Sequence, residues 1–219
     1  YTIDTHLYSS TGSIGITLFP KHSEEVEDLL READTAMYRA KDLGCNRIRF
    51  YEADMQADVQ ERLALEQDLK KASAEGQLTA FVQSQVDASG TVIGGELLMR
   101  WNHPVRGNVP PSRFIPVAES SGLILRMGDR MILQACETLA RLHAAGQELL
   151  ISVNVSERQF RQDDFVERVL GMLAQTGAPA ALLILEVTES LLIEHLDDTI
   201  ARMSDLVRHG VRFSIDDFG

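Results

Sequence analysis

The 219-residue chain is 44% hydrophobic and 25% charged, the composition of a chain that folds around a core. Its net charge of −12, from 33 acidic against 21 basic residues, excludes the basic footprint of a nucleic-acid polymer binder. No apolar run approaches the ~20 residues of a membrane span, and Cys45 and Cys136 are too far apart for a CxxC zinc knuckle or a disulfide framework.

The opening YTIDTHLYSS has neither an initiator Met nor the charged-then-apolar layout of a signal peptide, so Tyr1 reads as an interior residue and the chain as an excerpt. Residues 8–19, rich in β-formers, predict a strand after a loop. Residues 24–43 predict a helix: Ser23 suits the N-cap, Leu30, Ala33, Met37 and Ala40 share a face, and Gly44 suits the position after the end. RIRFY (47–51) reads as a short strand, completing a β-α-β piece. Residues 53–75 predict a charged helix with a thin apolar stripe of Val59, Leu63, Leu69 and Ala72, supported by the Glu66–Lys70 pair, in the manner of a connector.

After Gly76 strands alternate with helices. Strands are predicted near 79–86, 91–99, 149–154, 182–187 and 211–216, with helices near 128–145, 163–175 and 195–209. Such βα units imply an α/β fold with a mostly parallel sheet, open or barrel-shaped. The expected domains are 1–52, a connector helix at 53–76, and 77–219.

Polar residues fall at the strand ends. GGELLMRW (94–101) places Glu96, Leu98 and Arg100 on one face and Leu97, Met99 and Trp101 on the other. LLISVNVS ends its apolar run at Asn154, LLILEVTES carries Glu186 and Glu189, and VRFSIDDFG carries Asp216 and Asp217. A single carboxylate in such a place is ordinarily a helix cap or a loop residue. Four successive strands that each deliver an oxygen donor need another explanation, because crowding unpaired carboxylates together is costly without cations. With no His or Cys cluster, a hard cation such as Mg²⁺ or Mn²⁺ suits the set better than zinc. Two such ions can activate water and stabilise a leaving oxygen in phosphodiester hydrolysis. The six histidines, His103 among them, read as surface or loop residues, and Leu123, Ile124 and Leu125 as core.

The segments FVQSQVD (81–87), ELLMRWNHP (96–104), VPPSRFIPVAESSGLI (109–124), SVNVSERQF (152–160), EVTES (186–190) and IDDFG (215–219) resemble the EAL domain, the cyclic di-GMP phosphodiesterase domain of bacterial signalling proteins. The resemblance implies a TIM-like (β/α)8 barrel, present here only in its N-terminal part. It also implies Glu96, Asn154, Glu186, Asp216 and Asp217 as ligands of two divalent ions, with Asp217 also activating water. Glu189 would brace the ligand-bearing loop, and Gln83 and Arg100 would contact the dinucleotide. The signature Glu-Ala-Leu reads Glu96-Leu97-Leu98, a change expected on the helix-facing side, and Ser84 stands where the family has proline.

TGSIGITLFP (11–20) and EADTAMYRAKDLGCNRIRFY (32–51) resemble the C-terminal part of a GGDEF diguanylate cyclase domain. Its phosphate-binding lysine is matched by Lys41, while the arginine four residues later is replaced by Cys45, whose thiol cannot supply a guanidinium's bidentate donors. These resemblances imply a longer GGDEF–EAL protein that hydrolyses cyclic di-GMP to pGpG, with this segment inactive by itself. The alternatives are a non-catalytic cyclic di-GMP receptor and, more weakly, an active cyclase. The implied setting is the cytoplasm, with upstream sensory domains, possible membrane attachment of the longer protein, and homodimerisation through the EAL domain.

Overall fold

The computed structural model describes residues 2–3, 6–7, 11–21, 25–42, 46–189, 191 and 196–216. They fall into two units, Tyr1–Leu65 and Glu66–Gly219, divided within a single helix.

In the first unit two-residue strands β1 (Thr2–Ile3) and β2 (His6–Leu7) pair antiparallel. Strand β3 (Ile14–Ile16) pairs parallel with β4 (Ile48–Phe50), and α1 (Val26–Asp42) forms the crossover. Helix and strand meet at Gly15, where a Cβ would lie 2.0 Å from the Ala33 carbonyl and 2.2 Å from the Met37 amide. Only glycine lets the helix backbone come so close. Ala36 and Ala40 are fully buried. Helix α2 (Ala53–Glu75) coincides with the helix expected over 53–75, and its first turns meet α1 through Thr35 Oγ1 donating to Gln56 Oε1 at 3.2 Å and an Arg39–Asp58 ion pair. Lys41 is exposed on the last turn of α1, while Cys45 lies outside the described residues.

In the second unit one sheet runs in the order β10-β9-β8-β6-β5, with β7 paired to the far end of β6. Strands β5 (Leu78–Val86) and β6 (Val92–His103) form an antiparallel hairpin, and β7 (Gly107–Val109) folds back on β6. Strands β8 (Leu150–Asn154), β9 (Leu183–Thr188) and β10 (Arg212–Asp216) then add in parallel. The connections carry helices α3 (Pro111–Ser121), α4 (Leu123–Ala144), α5 (Glu157–Phe160), α6 (Phe165–Thr176) and α7 (Leu196–Arg208). The fold is therefore mixed α/β, with a barrel-type sheet in which β6, β8, β9 and β10 run parallel while β5 and the short β7 pair antiparallel with β6.

Strand alternation decides what is buried. Leu97, Ile151, Val153, Leu183, Leu185 and Val187 lie on the helix-covered face and join Met131, Ile132, Ala135 and Leu139 of α4 in one core. Each fully buried aliphatic side chain contributes roughly 1.5–3 kcal/mol. The substituted signature position, Leu97, is 2% exposed in this core, so its extra bulk is a packing matter. Beyond it, fully buried Trp101 stacks edge-on against Phe114 and donates its indole N–H to Gln77 Oε1 at 3.1 Å. His103 ends β6 and caps the turn that follows: its Nδ1 accepts the amide protons of Val105 (3.1 Å) and Arg106 (3.0 Å).

Helix α3 and the first turns of α4 were not anticipated from the sequence. Pro111 occupies an N-terminal position where its missing N–H costs nothing, and Gly122, at φ 79°, ends α3 and at once starts α4. No helix among the described residues is long and apolar enough to cross a membrane.

Cys136 sits wholly inside the core, where burial pushes its thiol up from an ordinary 9.0 to about 11. The folded protein thus holds this proton more tightly than the unfolded chain. The associated stability is complete below the unfolded thiol's pKa and is lost as pH rises toward 11. Cys136 is expected to resist iodoacetamide at pH 8 while folded and to label on denaturation, which mass spectrometry of its peptide would check; rapid labelling of the folded protein would contradict it.

Candidate active site

The polar face of the sheet is assembled by register. Glu96 pairs across the ladder with Ser152, Asn154 with Glu186, Glu186 with Ser214, and Asp216 with Thr188. Going from Glu96 to Asn154 to Glu186 to Asp216, the chain position advances by two, zero and two residues against that register. A diagonal of this kind is what strand tilt in a barrel requires of residues that approach one axial point. It brings residues 58 positions apart into contact: Asn154 Nδ2 donates to Glu96 Oε1 at 2.7 Å. Glu96 and Glu186 are half-buried and Asn154 is exposed at its strand end.

The remaining expected residues stand as follows. Gln83 is the antiparallel partner of Glu96 on β5 and is exposed. Arg100, four residues along the same face of β6, donates Nη1 to the Met99 carbonyl at 3.0 Å. Among the described residues it has no carboxylate partner. Glu189 is exposed just beyond β9. Asp216 is the last described residue of β10, and Asp217 lies outside the described residues.

The donor set suits a hard cation. The side chains of Glu96, Glu186 and Asn154 offer two carboxylates and one amide, with no sulfur or imidazole; because Asn154 gives its NH₂ to Glu96, its carbonyl oxygen is left as the donor a cation can use. Among the described residues no group of three His, Cys, Asp or Glu side chains is placed to hold a metal ion.

Beside Arg100 and Asn154 opens a cavity of about 310 Å³, walled by Ile115, Met131 and Val153 and reached by Glu119 and Gln159. Burial, and secondarily the nearby Glu157 carboxylate, raise the pKa of Glu119 above its usual range. Neither Glu119 nor Gln159 was picked out from the sequence. The four-residue helix that carries Gln159 is too short to show a periodicity, and Glu119 reads as an ordinary surface position of an unanticipated helix.

Comparison with known proteins identifies the sheet and its tail. The family model described as "EAL domain" matches residues 66–219, and "Diguanylate cyclase, GGDEF domain" matches residues 1–47. A relative from Pseudomonas aeruginosa, the bifunctional diguanylate cyclase/cyclic di-GMP phosphodiesterase MucR, is 38% identical over 100% of this chain and 32% of its own length. The cyclic di-GMP phosphodiesterase NbdA of the same organism is 36% identical over 99% of this chain and 28% of its own. The chain therefore spans about a third of the length of these curated relatives. Among solved structures, the PaMucR phosphodiesterase in complex with c-di-GMP superposes with a TM-score of 0.69 at 37% identity, over 71% of this chain and 64% of that one. The EAL enzyme Bd1971, bound to cAMP and cyclic di-GMP, superposes at 0.70 with 26% identity, over 91% and 53%.

Proposed function

This chain belongs to the EAL domain family, joined to the C-terminal part of a GGDEF domain, and we propose that the protein containing it is a phosphodiesterase that hydrolyses cyclic di-GMP to linear pGpG. The observation that carries this reading is the hydrogen-bonded Glu96–Asn154 pair, with Glu186 in register beside it, near the C-terminal end of the stretch in which β6, β8 and β9 pair in parallel, the side of such sheets where active sites gather.

In this proposal Glu96, Asn154, Glu186, Asp216 and Asp217 hold two Mg²⁺ or Mn²⁺ ions. When bound, these supply charge neutralisation of the scissile phosphate and a lowered pKa for the attacking water. The chain's own groups do the positioning. The Arg100 guanidinium takes a phosphate oxygen as a permanent cation, and Gln83, opposite Glu96, offers an amide to the dinucleotide. Asp217 orients the water and accepts its proton, and Glu189 supports the loop after β9. The net charge of −12 favours this small ligand over a polyanion, since local cations must offset the surface field. The GGDEF portion, with Cys45 at the arginine position, contributes regulation in place of cyclase chemistry. The setting proposed is cytoplasmic, with sensory domains upstream and pairing of EAL domains between copies.

The full-length protein incubated with cyclic di-GMP and Mn²⁺ is expected to release pGpG, detected by liquid chromatography, and EDTA should stop turnover completely. Tight binding of cyclic di-GMP without any product would instead establish a receptor.

A further inference from the structure

Asn154 ends its strand, and something must fix where its side chain stands. The next residue, Val155, donates its amide to the Glu186 carbonyl at 2.9 Å, continuing the β8–β9 ladder by one bond. Ser156 then caps α5, its Oγ accepting the Gln159 amide at 3.2 Å. Gln159, only 1% exposed, points its side chain into α4. Its Nε2 donates to Asp129 Oδ1 at 3.0 Å, while Asp129 Oδ2 accepts from Arg168 Nη1 of α6 at 2.8 Å. Its Oε1 occupies the space above Gly128, where an added Cβ would lie 2.1 Å away. Arg158 adds a bond from Nη1 to the Glu119 carbonyl at the end of α3. One four-residue helix is thus pinned to α3, α4 and, through Asp129, α6, directly after the amide that meets Glu96.

We propose that Gln159 is a positioning residue for Asn154: clamped between Gly128 and Asp129, it fixes the turn after β8 and so the placement of the Asn154 amide against Glu96. This inference rests on the hydrolase reading for its functional consequence, though the clamp itself does not. The residue type follows from the chemistry. A buried amide needs a partner, and Asp129, its charge balanced by Arg168, has one oxygen left to accept. Leucine at 159 fills similar space and orphans that oxygen. Alanine at 128 evicts the glutamine from the opposite side without touching α5.

The test uses the full-length protein and the variants Gln159→Leu, Gly128→Ala, Asn154→Ala and Asn154→Ala/Gln159→Leu, with Mn²⁺ titrated calorimetrically and amide exchange followed at Val155. Gln159→Leu and Gly128→Ala are each expected to weaken Mn²⁺ binding by about 10-fold, the lower range for residues that orient metal ligands, and to speed Val155 exchange. The double variant should bind no more weakly than Asn154→Ala, because the clamp acts through that side chain. Unchanged Mn²⁺ affinity and Val155 protection in folded Gln159→Leu, or full additivity in the double variant, would overturn the proposal. If both clamp variants lack a cooperative thermal transition, the residue carries the fold and the positioning role is rejected. Wild-type protein that binds Mn²⁺ yet never produces pGpG would sink the hydrolase reading alone, leaving the exchange and binding results to judge the clamp.

Discussion

Glu96→Gln is expected to lower cyclic di-GMP hydrolysis by the full-length protein at least about a thousandfold while leaving its melting temperature nearly unchanged. Glutamine keeps the volume and an oxygen that can accept the Asn154 amide, now 2.7 Å from the carboxylate. The stability cost is the difference between a charged and a neutral hydrogen bond, about 1 kcal/mol, offset by removing one negative charge from a face that also carries Glu186. The functional cost is larger. A unit charge opposite a cation ~4 Å away is worth about 4 kcal/mol at an effective dielectric near 20, and every ~1.4 kcal/mol of lost transition-state stabilisation is a factor of ten. The measurement is kcat/KM at saturating Mn²⁺ alongside a thermal melt. Turnover within a factor of ten of wild type, from a protein that melts normally, would remove Glu96 from the proposed ligand set.

Much of this site was legible because strand parity is a local property. Alternation along GGELLMRW separates Glu96 and Arg100 from Leu97 and Trp101 without knowledge of any partner strand, and the burial of Leu97 and Trp101 at 2% and 0% follows that division. The βα rhythm after Gly76 was visible for the same reason, since each apolar run is bounded by its own turn residues. What parity could not supply is register. The two-zero-two diagonal that sets Asn154 against Glu96 comes from pairing between strands 58 residues apart, and the Gln159–Asp129 contact spans 30. Helix α3 was missed for a different reason. Its prolines and the glycine after it are breakers on a propensity scale, yet Pro111 sits in the first turn and Gly122 serves as terminator of one helix and start of the next. Strand β6 runs past its expected end to His103 because β7 folds back and pairs with Trp101, Asn102 and His103, a tertiary event with no local signal.

The pairing that brings Glu96 to Asn154 has a single narrow point, and breaking it should separate the site into halves. Strands β6 and β8 share four register pairs, Gly94 through Leu97 against Leu150 through Val153. At the first of these a Cβ on Gly94 would lie 2.5 Å from the Leu150 carbonyl oxygen and 3.0 Å from its Cβ. Neither the carbonyl nor a strand Cβ can move without the backbone, so Gly94→Ala must push the strands apart. Its neighbour provides the milder comparison: a Cβ on Gly95 would meet Val82 Cγ1 at 2.5 Å, the end of an exposed side chain on the edge strand that can rotate away, and the Gln83 carbonyl oxygen only at 3.2 Å. Gly94→Ala is accordingly expected to cost roughly 2–3 kcal/mol, the upper part of the usual overpacking range. At about 2–4 °C per kcal/mol for a chain of this size, the melting temperature should fall by roughly 4–12 °C. Gly95→Ala should lower it by less than half as much. Because the strained ladder is the one that carries Glu96 beside β8, Gly94→Ala should also weaken Mn²⁺ binding at temperatures where the protein remains folded, whereas Gly95→Ala should not. Equal melting temperatures for the two variants would mean that the sheet absorbs the extra methyl group elsewhere, and that the β6–β8 approach does not set the spacing of Glu96 and Asn154.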